Sequence, residues 1–251
     1  MVQGCMDPPA QGTVSHILDE DPELGAPLPA AEREVATRVL RARVISVAPG
    51  QWAPPPITAC REFGVLVLDG LMARRGRLVD AVAIEILGPG DLLRPCDRPA
   101  FTEVVTPAAE WEVLQAARLA VLDERVSEQI AQWPELAIAL SGRLSRRVSN
   151  LNHLLAISHL PRVEDRLLAT LRFLAGHYGR VRADGVTVPL RLTHGHLGEL
   201  VGARRPSVSL ALKSLCARGL VCRCPGGGYV VYGDVPAVLS TSLSVPVTAD
   251  R

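Results

Sequence analysis

The stretch LTHGHLGELVGARRPSVSLALKSLCARGLV, residues 192–221, decides how this chain is read. Thr193 is a good N-cap for a short helix that carries Leu197, Leu200 and Val201 on one face. Gly202 supplies a turn. Pro206 then falls in the first turn of a second helix, where its missing N–H costs nothing. Val208, Leu212 and Leu215 repeat on one face of that helix, while Arg204, Arg205, Ser207 and Ser209 crowd its N-terminal end. The pattern predicts a helix-turn-helix. Apolar residues would hold the second helix down, and basic and hydroxyl groups at its start would reach phosphates and base edges. An ordinary helical hairpin with a Gly turn has the same apolar spacing and stays open as the alternative.

The next residues favour the first reading. Gly219 ends the second helix, and LVCRCPGGGYVVY (220–232) offers two β-type runs, Leu220–Cys224 and Tyr229–Tyr232, around a Pro-Gly-Gly-Gly turn. A hairpin directly after a helix-turn-helix is a wing. The candidate DNA-facing residues are Thr193, His194, Arg204, Arg205, Ser207, Ser209 and Lys213.

A net charge of +1 looks wrong for a DNA binder until the chain is divided. Residues 1–161 hold 15 Arg against 20 Asp and Glu, a balance of −5; residues 162–235 hold 11 Arg and Lys against 5 acids, a balance of +6. The basic excess therefore sits with the helix-turn-helix, which makes duplex DNA the expected partner. Lys213 is the one lysine, and the Arg preference is assigned mainly to coding bias.

No run approaches the ~18 apolar residues of a membrane span, and the N-terminal MVQGCMDPPAQG lacks the basic and apolar regions of a signal peptide. A cytoplasmic protein with no membrane partner is expected. Cys5, Cys60, Cys96, Cys216, Cys222 and Cys224 show no C-x-x-C spacing. Neither a metal site nor an iron–sulfur cluster is expected, and Cys222 and Cys224 read as partly buried thiols rather than a redox pair. A Gly-rich phosphate loop, G-x-S-x-G, H-E-x-x-H and paired carboxylates beside a His are all absent from the sequence, so an enzyme is not expected.

Residues 1–30, rich in Pro, Gly and acid, read as a disordered N-terminal segment, and a short helix is expected over Ala30–Arg41. Residues 31–125 read mainly as short strands: Ala42–Val47, Val65–Leu68, Leu71–Arg74, Val82–Leu87, Trp111–Leu114 and Leu119–Leu122, with turns at Pro49-Gly50, Asp69-Gly70, Arg75-Gly76 and Gly88-Pro89-Gly90-Asp91. Residues 126–160 read as helix, Val126–Gln132 and then Glu135 to about His159, broken at Trp133-Pro134. Its stripe Ala137, Leu140, Leu144, Val148, Leu151 and Leu155 suits a homodimer seam. Packing on its own β-domain is the other use of such a stripe, and both are expected. The dimer-interface candidates are Leu140, Leu144, Val148, Leu151 and Leu155. After Pro161, Val163–Ala175 is another helix; residues 161–235 form the winged helix-turn-helix domain and 236–251 a tail.

This order resembles the cyclic-AMP-receptor (Crp/Fnr) family of bacterial transcription regulators. The resemblance runs from about 31 to 235 and is carried by VLVLDG (65–70), AIEILGPGD (83–91), GDLLRP (90–95), RVEDRLLATL (162–171) and LTHGHLGELVGARRPSVSLAL (192–212). ARRPSVSLAL is similar to an actinobacterial-type branch. The resemblance implies an α+β chain: an N-terminal β-roll like a cyclic-nucleotide-binding domain, a long central dimerisation helix and a C-terminal winged helix-turn-helix. It further implies a sequence-specific regulator, a homodimer on a palindromic operator, with RNA polymerase as a further partner.

The departures concern the effector. Where nucleotide-binding members carry Gly-Glu after the Gly-Asp turn, this chain has Arg94 and Pro95. Near the family's Arg-Ser pair it has Arg98-Pro99-Ala100-Phe101-Thr102, and at the purine-facing positions of the central helix it has Leu151 and Asn152. A buried phosphate without a cation is costly, so no cofactor is expected and the usual cyclic-AMP site is expected to be missing. Arg94, Arg98, Leu151 and Asn152 remain candidates for a different effector pocket; solvated loop arginines are the other reading of the first two. The alternative function is a cyclic-nucleotide or cyclic-di-GMP sensing module, the latter from the R-x-x-D spacing of Arg77 and Asp80. Some members of the resembled family bind haem, for which His16, His153 and His159 are the candidates here; a solvated or satisfied imidazole is the other reading of each.

Overall fold

A computed structural model describes residues 12–54, 62–78, 81–94, 108–225 and 227–233. The chain divides into two compact units, Met1–Asn152 and His153–Arg251.

The first unit is built on an antiparallel sheet of seven strands among the described residues: β1 (Thr13–His16), β2 (Arg41–Val47), β3 (Gly50–Trp52), β4 (Gly64–Leu78), β5 (Ala81–Leu87), β6 (Leu92–Leu93) and β7 (Ala108–Leu122). The order is β1-β2-β7-β4-β5, with β3 added to β7 and β6 to β4. Successive residues of a strand point to opposite faces, and here both faces are covered. Val65 and Val67 join Met72, Trp111, Leu119 and Val121 inside the roll. Between them Leu66, with Ala120 and Leu122, packs on a second core. That is why 65–67 and 119–122 read as unbroken apolar runs.

The second core corrects the reading of the N-terminal segment. Residues 12–30 are structured: β1 pairs with β2, α1 (Ile17–Glu20) follows it, and Ile17, Leu18, Leu24 and Leu28 are buried beside Ala36 of α2 (Ala30–Val39). The Pro and acid content masked four apolar anchors. Arg118 of β7 holds Glu20 through two hydrogen bonds, at 2.9 and 2.6 Å. These bonds, with a third from Ser15, hold the Glu20 carboxyl below its ordinary range.

Two expected turns are absent. Asp69-Gly70 and Arg75-Gly76 both lie inside the single strand β4, as Trp111–Leu114 and Leu119–Leu122 both lie inside β7. The β4–β7 ladder slips register between Val67 and Met72 instead of ending. Gly70 allows this: at φ +88° it lets the Ala116 carbonyl oxygen come to 2.3 Å from where a Cβ would stand. The Gly88–Asp91 turn forms as expected, with the Asp91 carboxylate accepting the Gly88 N–H at 2.8 Å.

Asp123 caps α3 (Glu124–Ile130), and Pro134 opens the long α4 (Pro134–Ser158). The α4 stripe is not one surface. Leu140 is fully buried in the unit's own core with Leu136, and Leu144 packs partly on it, which removes Leu140 from the dimer candidates. Arg143 and Arg147 face the roll as well. Arg143 bonds both Asp21 oxygens and the Gly90 carbonyl, and Arg147 bonds Glu85. One turn on, Val148, Leu151 and Leu155 are exposed.

The second unit comprises the end of α4, α5 (Val163–Tyr178), the hairpin β8 (Arg180–Arg182) and β9 (Gly185–Val188), α6 (His194–Val201), α7 (Arg205–Ala217), β10 (Val221–Arg223) and β11 (Tyr229–Val231). The wing strands join the β8–β9 hairpin in a four-stranded sheet of order β10-β11-β9-β8. Arg166 ties α5 to its neighbours, donating to the Val201 and Leu160 carbonyls at 2.8 Å each.

Candidate nucleic-acid interface

The entry to α6 is closed by a capping box with an unusual partner. Thr193 Oγ1 accepts the His196 N–H at 3.1 Å, and His196 Nδ1 accepts the Thr193 N–H at 3.3 Å. At its other end Gly202 takes φ +60° and ends the helix. The following turn is tight: the Ala203 N–H donates to the Gly198 carbonyl at 2.9 Å. A Cβ on Gly198 would stand 2.5 Å from the Ala203 oxygen. Gly198 therefore sets the approach of α7 to α6.

Helix α7 starts at Arg205 with Pro206 in its first turn, as the sequence predicts. Val208, Ala211, Leu212 and Leu215 are buried. Arg204, Arg205, Pro206, Ser207, Leu210 and Lys213 are exposed. The candidate set thus divides. Arg204, Arg205, Ser207 and Lys213 point outward, whereas Ser209 and His194 are half-buried and bonded to each other.

That bond fixes a small network. Ser209 Oγ donates to the Arg205 carbonyl at 3.0 Å. Its single proton being used, it accepts from His194 Nδ1 at 2.8 Å. The imidazole value is lowered by burial and then by Arg223 and Arg205. His194 and Ser209 therefore brace α6 against the start of α7, leaving direct contacts to the exposed residues.

Beside the α6 entry lies a cleft of about 480 Å³ lined by Arg191, Leu192, Thr193, Arg223, Pro225, Gly227, Gly228 and Tyr229. Arg191 and Arg223 were missed from sequence. Their signal is weak: single arginines, one before the N-cap and one on a three-residue strand.

The other candidates fare differently. Arg94 is half-buried; Leu151 and Asn152 are exposed on α4; Arg98 lies outside the described residues. Arg77 sits 3.9 Å from Glu110, and Asp80 lies outside the described residues. His16 Nδ1 is 2.6 Å from the Thr37 carbonyl, and His153 stacks on Phe173 at 5.4 Å. Among the described residues no three His, Cys, Asp or Glu side chains form a metal-holding group. Among the described cysteines Cys216 and Cys222 are exposed and Cys224 is half-buried; Cys222 is therefore not the partly buried thiol expected, because it takes the solvent face of β10 while Val221 takes the buried one. No helix among the described residues is long and apolar enough to cross a membrane.

A capped first helix, a left-handed Gly turn, a second helix and an adjoining wing find their match in known proteins. Residues 165–237 match the Crp-like helix-turn-helix domain. The second unit thus carries a helix-turn-helix of the Crp-like type. An HTH-type transcriptional regulator, ycf28, of Porphyra purpurea is 25% identical over 107 residues, 42% of this chain and 45% of that protein. The global nitrogen regulator of a Nostoc species is 26% identical over 98 residues, 39% of this chain and 44% of that one. The chain thus spans under half the length of these relatives. A cyclic nucleotide-binding domain containing protein from Listeria monocytogenes shares the fold. Its TM-score is 0.61 at 14% identity, over 75% of this chain and 88% of that one. That likeness is one of fold, and it extends over residues of both units.

Proposed function

We propose that this chain is a sequence-specific, DNA-binding transcription regulator acting as a homodimer on a palindromic operator, in the cytoplasm and without enzymatic activity. The observation that carries the reading is the outward face of α7. Arg204, Arg205, Ser207 and Lys213 are exposed on a helix whose opposite side is buried, with the Arg191–Arg223 cleft alongside. Backbone phosphates would seat on the arginines, and base edges would meet the start of α7.

The dimer seam is proposed on the exposed part of α4. Val148, Leu151 and Leu155 are 58%, 40% and 58% exposed, and their four- and three-residue steps suit a parallel helix pair. Two copies of α7 would then address two half-sites. RNA polymerase is the further partner such a regulator would touch.

Cyclic AMP is not the proposed effector. The two α4 arginines that reach the roll already hold carboxylates, Asp21 and Glu85. Titration calorimetry with cyclic AMP should therefore give no stoichiometric binding; tight binding would reverse this part.

The experiment for the whole reading is duplex binding against salt. A reader that neutralises several phosphates loses affinity steeply, by about 0.9 log unit per phosphate for each tenfold rise in salt. A sensing module without a DNA reader would show neither the binding nor the slope.

A further inference from the structure

Leu210 is 70% exposed. It shares the outermost face of α7 with Pro206, Lys213 and Ala217, four, three and seven residues away, opposite the buried Val208, Ala211, Leu212 and Leu215. Its surroundings are polar: Ser207 one turn back, Lys213 one turn on, and Arg204 and Arg205 at the helix start. One leucine among cations and hydroxyls is far below the few hundred Å² of apolar surface that a protein partner needs. It has no donor or acceptor for a phosphate or a base heteroatom. The major groove offers one apolar group on a base edge, the C5-methyl of thymine.

We infer that Leu210 reads thymine: its isobutyl group packs on the C5-methyl of one thymine in each half-site while Arg204, Arg205 and Lys213 engage the polar groups around it. The inference rests on the DNA-reading function proposed above. Five residues separate Leu210 from Arg205, about 7.5 Å along the helix axis. The thymine therefore lies within a few base-pair steps of whatever Arg205 contacts. Cytosine, with hydrogen at C5, is discriminated against by shape alone, without a hydrogen bond.

The test uses the full chain and a 30-bp duplex that it enriches from a random pool. Each thymidine of the half-sites is replaced in turn by deoxyuridine, which removes the methyl and leaves pairing and hydrogen-bonding groups intact. Fluorescence anisotropy reads the Kd. One position per half-site should weaken about fourfold on loss of its methyl, and about fifteenfold when both half-sites are changed. Leu210→Ala, exposed enough to fold normally, should bind thymidine and deoxyuridine duplexes alike; Leu210→Met should keep the difference, as should Arg205→Ala. If no thymidine is methyl-sensitive, or if Leu210→Ala keeps the sensitivity, the assignment of Leu210 is wrong while the DNA reading stands. If no duplex is enriched, both fall.

Discussion

Arg147 and Glu85 meet side-on, Nε to Oε1 at 2.5 Å and Nη2 to Oε2 at 2.7 Å, with side chains 16% and 10% exposed. The pair joins α4 to β5 across 62 positions of sequence. A nearly buried pair of this kind contributes less than its geometry suggests, because both charges lose water, but breaking one side strands the other.

Glu85→Gln should therefore destabilise the chain by about 3 kcal/mol, read as a lower urea midpoint at unchanged slope. Glu85→Leu with Arg147→Met should cost much less, since the one charge that loses its partner, Arg74 at 3.8 Å from Glu85, is exposed to water. Equal losses in the single and the double variant would mean that packing, not charge, holds this joint.

Much of the second unit was legible because its signals are local. A cap, a Gly turn, a Pro in the first helical turn and a three-to-four apolar repeat each act within a few residues, and all four fall where 192–215 placed them. The roll was legible in its strands but not in their lengths. Gly70 and Gly76 look like turns in sequence, and only the facing strand β7 shows that the chain runs on. The N-terminal segment was misread for the same reason: Ile17, Leu24 and Leu28 are ordinary apolar residues until the core that receives them is known. The α4 stripe needed the structure too, since periodicity cannot say whether Leu140 meets its own core or a second copy. Arg191 and Arg223, drawn to one cleft from segments separated by both helices of the helix-turn-helix, carry no sequence pattern at all.

Assembly should depend on the outer stripe alone. Val148→Glu with Leu151→Glu should give a folded monomer, because neither side chain belongs to the core, and operator affinity should fall with it. Sedimentation equilibrium at micromolar concentration is the measurement. A wild-type chain that is monomeric there would remove the seam.

Binding thermodynamics should separate two neighbouring arginines. Arg205→Ala, at the first helical position, should cost about 1–3 kcal/mol and relax preference at one base pair per half-site. Arg204→Ala, just before the helix, should weaken all sequences alike and reduce the salt slope by about one unit. Members of the resembled family that read a TGTGA-type half-site carry Glu and Arg at the positions of Pro206 and Leu210; Pro206 cannot accept a hydrogen bond from cytosine and Leu210 cannot donate one, so the selected half-site should differ from TGTGA. Recovery of TGTGA-N6-TCACA would refute this.

Another prediction concerns Thr170, which is fully buried in α5 with its hydroxyl unpartnered among the described residues. A buried hydroxyl without a bond forfeits its hydration and gains nothing in return. Thr170→Val keeps the shape and removes the orphan, so it should leave stability unchanged or raise it by about 1 kcal/mol.

The pH dependence of the second unit should report on His194. Burial, then Arg223 and Arg205, hold its folded value below the ordinary 6.5. Between the two values the unfolded chain binds more protons than the folded one, so stability rises with pH there. The contribution is complete above 6.5 and is lost as pH falls through 6.5 toward the folded value; below that value it changes no further. His194→Asn keeps a donor for Ser209 Oγ and abolishes the titration. The urea midpoint of the wild type should therefore fall more between pH 7.5 and 5.5 than that of His194→Asn. Parallel losses in the two proteins would show that other histidines, and not the brace between α6 and α7, carry the acid sensitivity of this fold.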